Sequence, residues 1–133
     1  MTSHVGYPKE ILDIDLMNEY YDGLQFNSEN YLENYLRLKL FMRDFSAKEY
    51  RKKIDKKDWR THGGAAYVGA FWHPDENSIQ FPAGILGGVF FDSNRPYYMN
   101  YGSIGLVIGH EITHHFDDTG RQRDEEGKEK LKS

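Results

Sequence analysis

The stretch that most constrains this chain is "VIGHEITHHFDDTG", Val107 to Gly120. It places two histidines four residues apart, with a glutamate beside the first, inside an apolar run. From Tyr101 to Asp118 the pattern predicts a helix, with Asn100 as N-cap and Gly120 as C-terminal stop. At about 100° per residue, His114 falls about 40° from His110, and Glu111 about 100° from it. Both imidazoles leave one face, one turn apart, and can converge on a single ion. Glu111 stands beside that ion rather than on it. This is the H-E-x-x-H arrangement, in which the histidines hold Zn²⁺ and the glutamate takes a proton from metal-bound water. The alternative is a chance pair of histidines on a packing helix.

The neighbours of the motif follow from the same projection. Asp117, about 20° from His110 on the other side, can orient an imidazole N–H or stand as a solvated acid near the helix end. Asp118 carries the same two readings. His115 projects about 100° away from His114, which does not suit a ligand. Gly102, Gly105 and Gly109 form a small-residue stripe that invites close approach by another element. The apolar positions Ile104, Leu106, Val107, Ile108, Ile112 and Phe116 predict an interior helix, whose polar groups need partners.

The rest of the chain predicts an α+β arrangement, helices with a β-hairpin, rather than a parallel βαβ sheet. Residues 1–60 read as mostly helical. In "SENYLENYLRLKLFMRDF", Tyr31, Tyr35, Leu38, Met42 and Phe45 form one stripe, with Asn27 or Ser28 as cap. "SAKE" (Ser46 to Glu49) is a capping-box pattern that predicts a second, basic helix to about Lys57. Residues 65–84 read as a hairpin, "AAYVGAFW" and "SIQFPAG" around the turn "HPDENS". Pro82 lacks an N–H, so its strand ends there or lies at an edge. Residues 100–120 are the histidine helix and residues 121–133 a charged, solvated tail.

Composition narrows the function. With 133 residues there is room for one ordinary domain. A formal net charge of -4 argues against a nucleic-acid partner, and the basic run Arg51 to Arg60 is interrupted by acids. There is no cysteine, so neither a disulfide nor a thiolate ligand is available. No apolar run approaches the ~18 residues of a membrane span.

"FPAGIL" (Phe81 to Leu86), "NYGSIGLVIGHEITHHFDDTGR" (Asn100 to Arg121) and "AAYVGAFW" together resemble the neprilysin family of zinc metallopeptidases. The similarity runs from about Val5 to Gly127. It implies a thermolysin-like gluzincin fold with a buried H-E-x-x-H helix, one Zn²⁺ held by His110 and His114, and Glu111 as general base. It further implies that peptide substrates add as an extra strand beside Gly69 and Ala70, and that the parent protein is extracellular or at the cell surface. Three departures stand out. Gly69 replaces the family's usual Asn, whose side chain holds the substrate backbone. His115 replaces a small residue. The family's third zinc ligand, a Glu in a Glu-x-x-x-Asp motif, is not found in this chain, nor are its later His and Arg that stabilise the transition state. These departures set two expectations side by side. One is a zinc metalloendopeptidase incomplete in this chain. The other is an inactive relative that captures peptides or associates with another peptidase chain through an exposed part of its apolar helix.

Overall fold

The computed structural model describes residues 1–52, 55, 58–62 and 64–130. It divides into two compact units, Lys9–Lys57 and Met1–Pro8 with Asp58–Ser133. The molecule is mixed, with helices and one small sheet.

The Lys9–Lys57 unit contains helices α1 (Ile14–Tyr20) and α2 (Tyr31–Glu49). Asp13 caps α1, its Oδ1 accepting from the N–H groups of Asp15 and Leu16 at 3.0 and 3.2 Å. The cap of α2 is Asn30 rather than Asn27 or Ser28: its Oδ1 accepts from Glu33 N–H at 3.0 Å. Asn27 is engaged elsewhere, its N–H donating to Asn34 Oδ1 at 2.8 Å. The two helices meet through aromatic edges, with Tyr20 against Phe41 and Phe45 at centroid distances of 6.2 and 5.2 Å.

The "SAKE" stretch does not open a new helix. Helix α2 continues through Glu49, and the Ser46 carbonyl accepts from Tyr50 N–H at 3.0 Å. No Gly or Pro interrupts residues 42–49, and a single Ser costs a helix interior only a few tenths of a kcal/mol, about too little to break it. The expected helix from there to Lys57 falls partly outside the described residues.

In the other unit, strands β1 (Thr2–Gly6), β2 (Phe71–His73) and β3 (Ser78–Pro82) form a sheet of order β1-β3-β2. The β2–β3 pair is antiparallel around a turn in which Asn77 adopts φ 53°. β1 adds in parallel on the far side, with His4 opposite Gln80 and Val5 opposite Phe81. The sequence pattern did not show this strand. β3 is therefore central, buried along its whole length, and ends at Pro82. Side chains alternate between its faces. Ile79 and Phe81 enter a core with Ile85 and Ile104, flanked by Ala70, Trp72, Leu86, Phe90 and Val107.

The predicted single helix Tyr101–Asp118 is two helices, α3 (Tyr97–Gly102) and α4 (Ile104–Thr113), broken at Ser103. The break is made by a contact from outside the helix. The Phe90 carbonyl accepts from Ile104 N–H at 3.2 Å and from Ser103 Oγ at 2.7 Å, drawing the chain out of the helical ladder. Asn100 is not a cap but a buried clasp: its Oδ1 accepts from Arg95 Nε at 2.6 Å and its Nδ2 donates to the Asp92 carbonyl at 2.9 Å.

The expectation of an interior helix is also corrected. Only Ile104 and Glu111 of α4 are buried, whereas Leu106 is 71% exposed and Phe116, just beyond the helix, 75%. One side of α4 packs on the sheet, and no other described element covers the opposite side. Nothing described approaches where Cβ atoms at Gly102 or Gly109 would stand, so the small-residue stripe makes no close packing there.

The segment read as a solvated end folds back. After a 3₁₀ turn at Gly120–Gln122, Arg123 bridges to Glu129. Asn77 Nδ2 donates to the Glu125 carbonyl at 2.7 Å, and Arg123 Nη1 to Asp75 Oδ1 at 2.5 Å. Gly127 lies against the backbone of Pro74 and Asp75 at φ 80°, a conformation and a spacing that favour glycine. Residues 131–133 lie outside the described part.

Candidate metal centre

Helix α4 brings His110 and His114 together, and their Nε2 atoms lie 3.1 Å apart. The rings meet edge to face, with centroids 4.7 Å apart and planes at 85°. His114 stands just past the last α4 residue, but its φ of -56° and ψ of -24° keep the helical path, so the one-turn spacing survives. His110 is exposed and His114 half-buried.

Asp117 sets the state of His114. Its Oδ2 lies 2.8 Å from His114 Nδ1, while its Oδ1 accepts from Thr119 N–H at 2.8 Å and Gly120 N–H at 2.9 Å. The Gly120 N–H, then His114, then the Thr119 N–H hold the Asp117 carboxyl down at about 2. A carboxylate accepts only, so His114 carries a proton on Nδ1, and Nε2 is the ring atom it turns toward His110. Two facing imidazole nitrogens need a proton or a cation between them.

Zn²⁺ fits that gap. Two nitrogens at about 2.0–2.1 Å from a tetrahedral ion stand roughly 3.3 Å apart, close to the observed separation. Glu111, buried at 7% exposure, offers a carboxylate oxygen within 4.8 Å of both histidine nitrogens. Among the described residues no other carboxylate or imidazole joins that group.

The sheet supplies the floor. The Trp72 indole stacks on His114 at 5.7 Å between centroids and 12° between planes. β2 is an edge strand, and Gly69 and Ala70 lead directly into it, both half-buried. A Cβ at Gly69 would stand 2.7 Å from the Tyr67 ring, so a larger residue there requires that ring to move. His115 turns away from the histidine pair. Its Nε2 lies 2.6 Å from Asn77 Oδ1 and 3.3 Å from Trp72 Nε1. Asp118 is 97% exposed and pairs with Arg121 at 3.3 Å.

Reasoning from sequence missed Trp72 as a neighbour of the histidines. The signal was available in its alternation with Phe71 and His73, which sends Trp72 to the same face as Ile79.

Comparison with known proteins gives the chain's relationships. Residues 69–133 match the model of peptidase family M13. The chain is 50% identical to Neprilysin-2 of Drosophila melanogaster over 127 residues, covering 96% of this chain and 16% of that protein. It is 44% identical to human Neprilysin over 125 residues, covering 92% of this chain and again 16% of the relative. The chain thus spans about a sixth of the length of these curated relatives. Among solved structures, the zinc metalloprotease Zmp1 of Mycobacterium tuberculosis, in complex with an inhibitor, superposes with a TM-score of 0.81 at 34% identity, over 96% of this chain and 18% of that one. Residues 69–133 are thus similar to peptidase family M13, and the chain resembles part of a neprilysin.

Proposed function

We propose that this chain carries the metal-binding and proton-transfer helix of a zinc metalloendopeptidase of the neprilysin type. The observation that carries the reading is the pair of Nε2 atoms 3.1 Å apart, with the His114 ring held through Nδ1 by Asp117. His110 and His114 hold the ion through Nε2, and Asp117 fixes the His114 tautomer and ring. Zinc, when bound, supplies Lewis acidity that polarises a carbonyl and lowers the pKa of water toward neutrality. Glu111 accepts the proton of the attacking water at its carboxylate and passes it to the leaving amine. Its burial beside the pair keeps that carboxylate out of bulk water and next to the reacting atoms. The peptide lies as an added strand along the free edge of β2, entered from Gly69 and Ala70, with main-chain hydrogen bonds setting its register. The relationship to neprilysins supports an extracellular or cell-surface setting for the parent.

Catalytic zinc generally takes three protein ligands and a water. Two imidazoles with Glu111 reserved as base leave one ligand position to be filled by a donor outside the described group. A second reading follows from this and from the uncovered apolar side of α4: an inactive relative that binds peptides or associates with another peptidase chain.

The test is hydrolysis of a quenched fluorescent peptide by the zinc-loaded chain and by Glu111→Gln, with peptide binding measured in parallel. The proposal expects zinc-dependent peptide binding in both, and only feeble turnover, abolished in Glu111→Gln. Turnover that survives Glu111→Gln overturns the base assignment. Efficient Glu111-dependent turnover overturns the need for a further ligand. Binding with no turnover under any condition favours the second reading.

A further inference from the structure

The sheet has a second chemical face. Alternation along β3 sends Ile79 and Phe81 to the core and Ser78 and Gln80 to the other side. Register places His4 of β1 opposite Gln80 and His73 of β2 opposite Ser78, so these four side chains share that side. The turn at Trp59–His62 brings His62 over them, and the β2–β3 turn brings Glu76.

His62 is the anomaly. It is 4% exposed, yet neither ring nitrogen has a hydrogen-bond partner among the described residues. A buried imidazole left in that condition is costly, so a native structure normally supplies a partner. Its Nε2 lies 3.4 Å from Glu76 Oε2, near enough for an ion pair but without hydrogen-bond geometry. The His4 ring stacks on it at 3.8 Å between centroids and 16° between planes. One ligand atom from each of His4, His62 and Glu76 lies within 4.8 Å of the others.

Burial and then the neighbouring His62 lower the pKa of His4 below the usual imidazole value. His73 does not compete. Gln80 Nε2 donates to the His62 carbonyl at 3.0 Å, so Gln80 Oε1 accepts, and His73 Nε2, 3.1 Å away, is the donor. The same Gln80 thereby fixes the backbone of His62. Ser78 Oγ donates to Glu76 Oε2 at 3.1 Å and steadies the carboxylate.

We propose that His4, His62 and Glu76 form a second divalent-metal site, separate from the His110–His114 pair, that takes Zn²⁺ or a similar borderline ion. Two neutral imidazoles and one carboxylate are a donor set suited to that class. Parallel imidazoles hold their lone pairs in parallel planes, so closure on one ion requires the half-buried His4 ring to turn. The His4 ring makes no hydrogen bond to another described residue that would resist this. The ion links three segments distant in sequence: β1, the Trp59–His62 turn and the β2–β3 turn. It therefore acts as a tether for the N-terminal strand, and its existence does not depend on the peptidase reading.

The test uses the chain with His110→Ala and His114→Ala, which removes the α4 pair. Zinc alone is the probe, with stoichiometry measured after dialysis, affinity by chelator competition, and thermal stability followed alongside. The expected result is one ion per chain in this background and two in the unsubstituted chain, with zinc raising the melting temperature in both. Adding Glu76→Gln or His4→Gln to the background lowers affinity by about tenfold or more. Neither change empties a buried volume as His62→Ala would, and circular dichroism confirms that each variant folds. A folded background chain that takes up no stoichiometric zinc overturns the proposal, as does uptake indifferent to both added substitutions.

Discussion

The indole of Trp72 lies parallel to the imidazole of His114, 5.7 Å away between centroids and 12° out of plane. This stack joins edge strand β2 to the end of α4, so the orientation of one proposed zinc ligand depends on the sheet as well as on its own helix. An aromatic pair of this kind contributes about 0.5–1.5 kcal/mol. Trp72→Ala is expected to weaken zinc binding at His110 and His114 by roughly three- to tenfold, and Trp72→Phe by less. Chelator competition in a Glu76→Gln background reads this site alone. An unchanged affinity in Trp72→Ala would show that α4 alone orients His114.

Asp117→Asn separates two jobs of one side chain. The amide oxygen can still accept from Thr119 and Gly120, so the turn after α4 is kept. The amide nitrogen then faces His114 Nδ1, donor against donor, and favours the wrong tautomer. Zinc affinity is expected to fall by about 10- to 100-fold with little change in melting temperature. Equal loss of both would mean that Asp117 serves only the turn.

How much of this was legible beforehand differs from element to element. The convergence of His110 and His114 follows from helix geometry alone, because residues one turn apart share a face whatever surrounds them. Of the expected hairpin, the first strand is Phe71–His73 rather than Ala65–Trp72, and it pairs antiparallel with β3. The break at Ser103 was not legible, since it is made by the carbonyl of Phe90, thirteen residues away, and no periodicity within the helix records that partner. β1 was invisible for the same reason: a five-residue parallel strand is defined by pairing with β3, more than seventy residues later. Burial of α4 was overestimated because apolar composition reports what a face requires, not which element covers it. No spacing in the sequence marks His62, and only the fold reveals that it sits over His4 and beside Glu76.

Gly127 is the pin of the folded-back segment. Its φ of 80° disfavours any side chain, and a Cβ would collide with the backbone of Asp75. Gly127→Ala is expected to destabilise this segment by about 1–3 kcal/mol. Amide hydrogen exchange across residues 124–130 should accelerate, while exchange in β3 stays slow. Unaltered exchange at 124–130 would show that the segment does not depend on this contact.

The same segment predicts a pH effect. The backbone N–H of Lys128 foremost, with that of Glu126, lowers the pKa of Asp124 below its ordinary value of 3.8. A depressed folded-state pKa means that the unfolded chain binds the proton more readily. The stabilisation is therefore complete above the ordinary aspartate value and is lost as pH falls through the lowered one. NMR titration of the Asp124 side chain should give a midpoint below 3.8, and Asp124→Asn should flatten the acid limb of the stability profile. A midpoint at or above the ordinary value contradicts these hydrogen bonds.

The central claim is that His110 and His114 together hold zinc through Nε2. Anomalous diffraction at the zinc edge, from crystals of the chain grown with zinc, locates the ion directly. The account predicts a peak about 2.0–2.1 Å from both Nε2 atoms, with the His114 ring still bonded to Asp117 through Nδ1. Saturating zinc with no peak between these two imidazoles would contradict it.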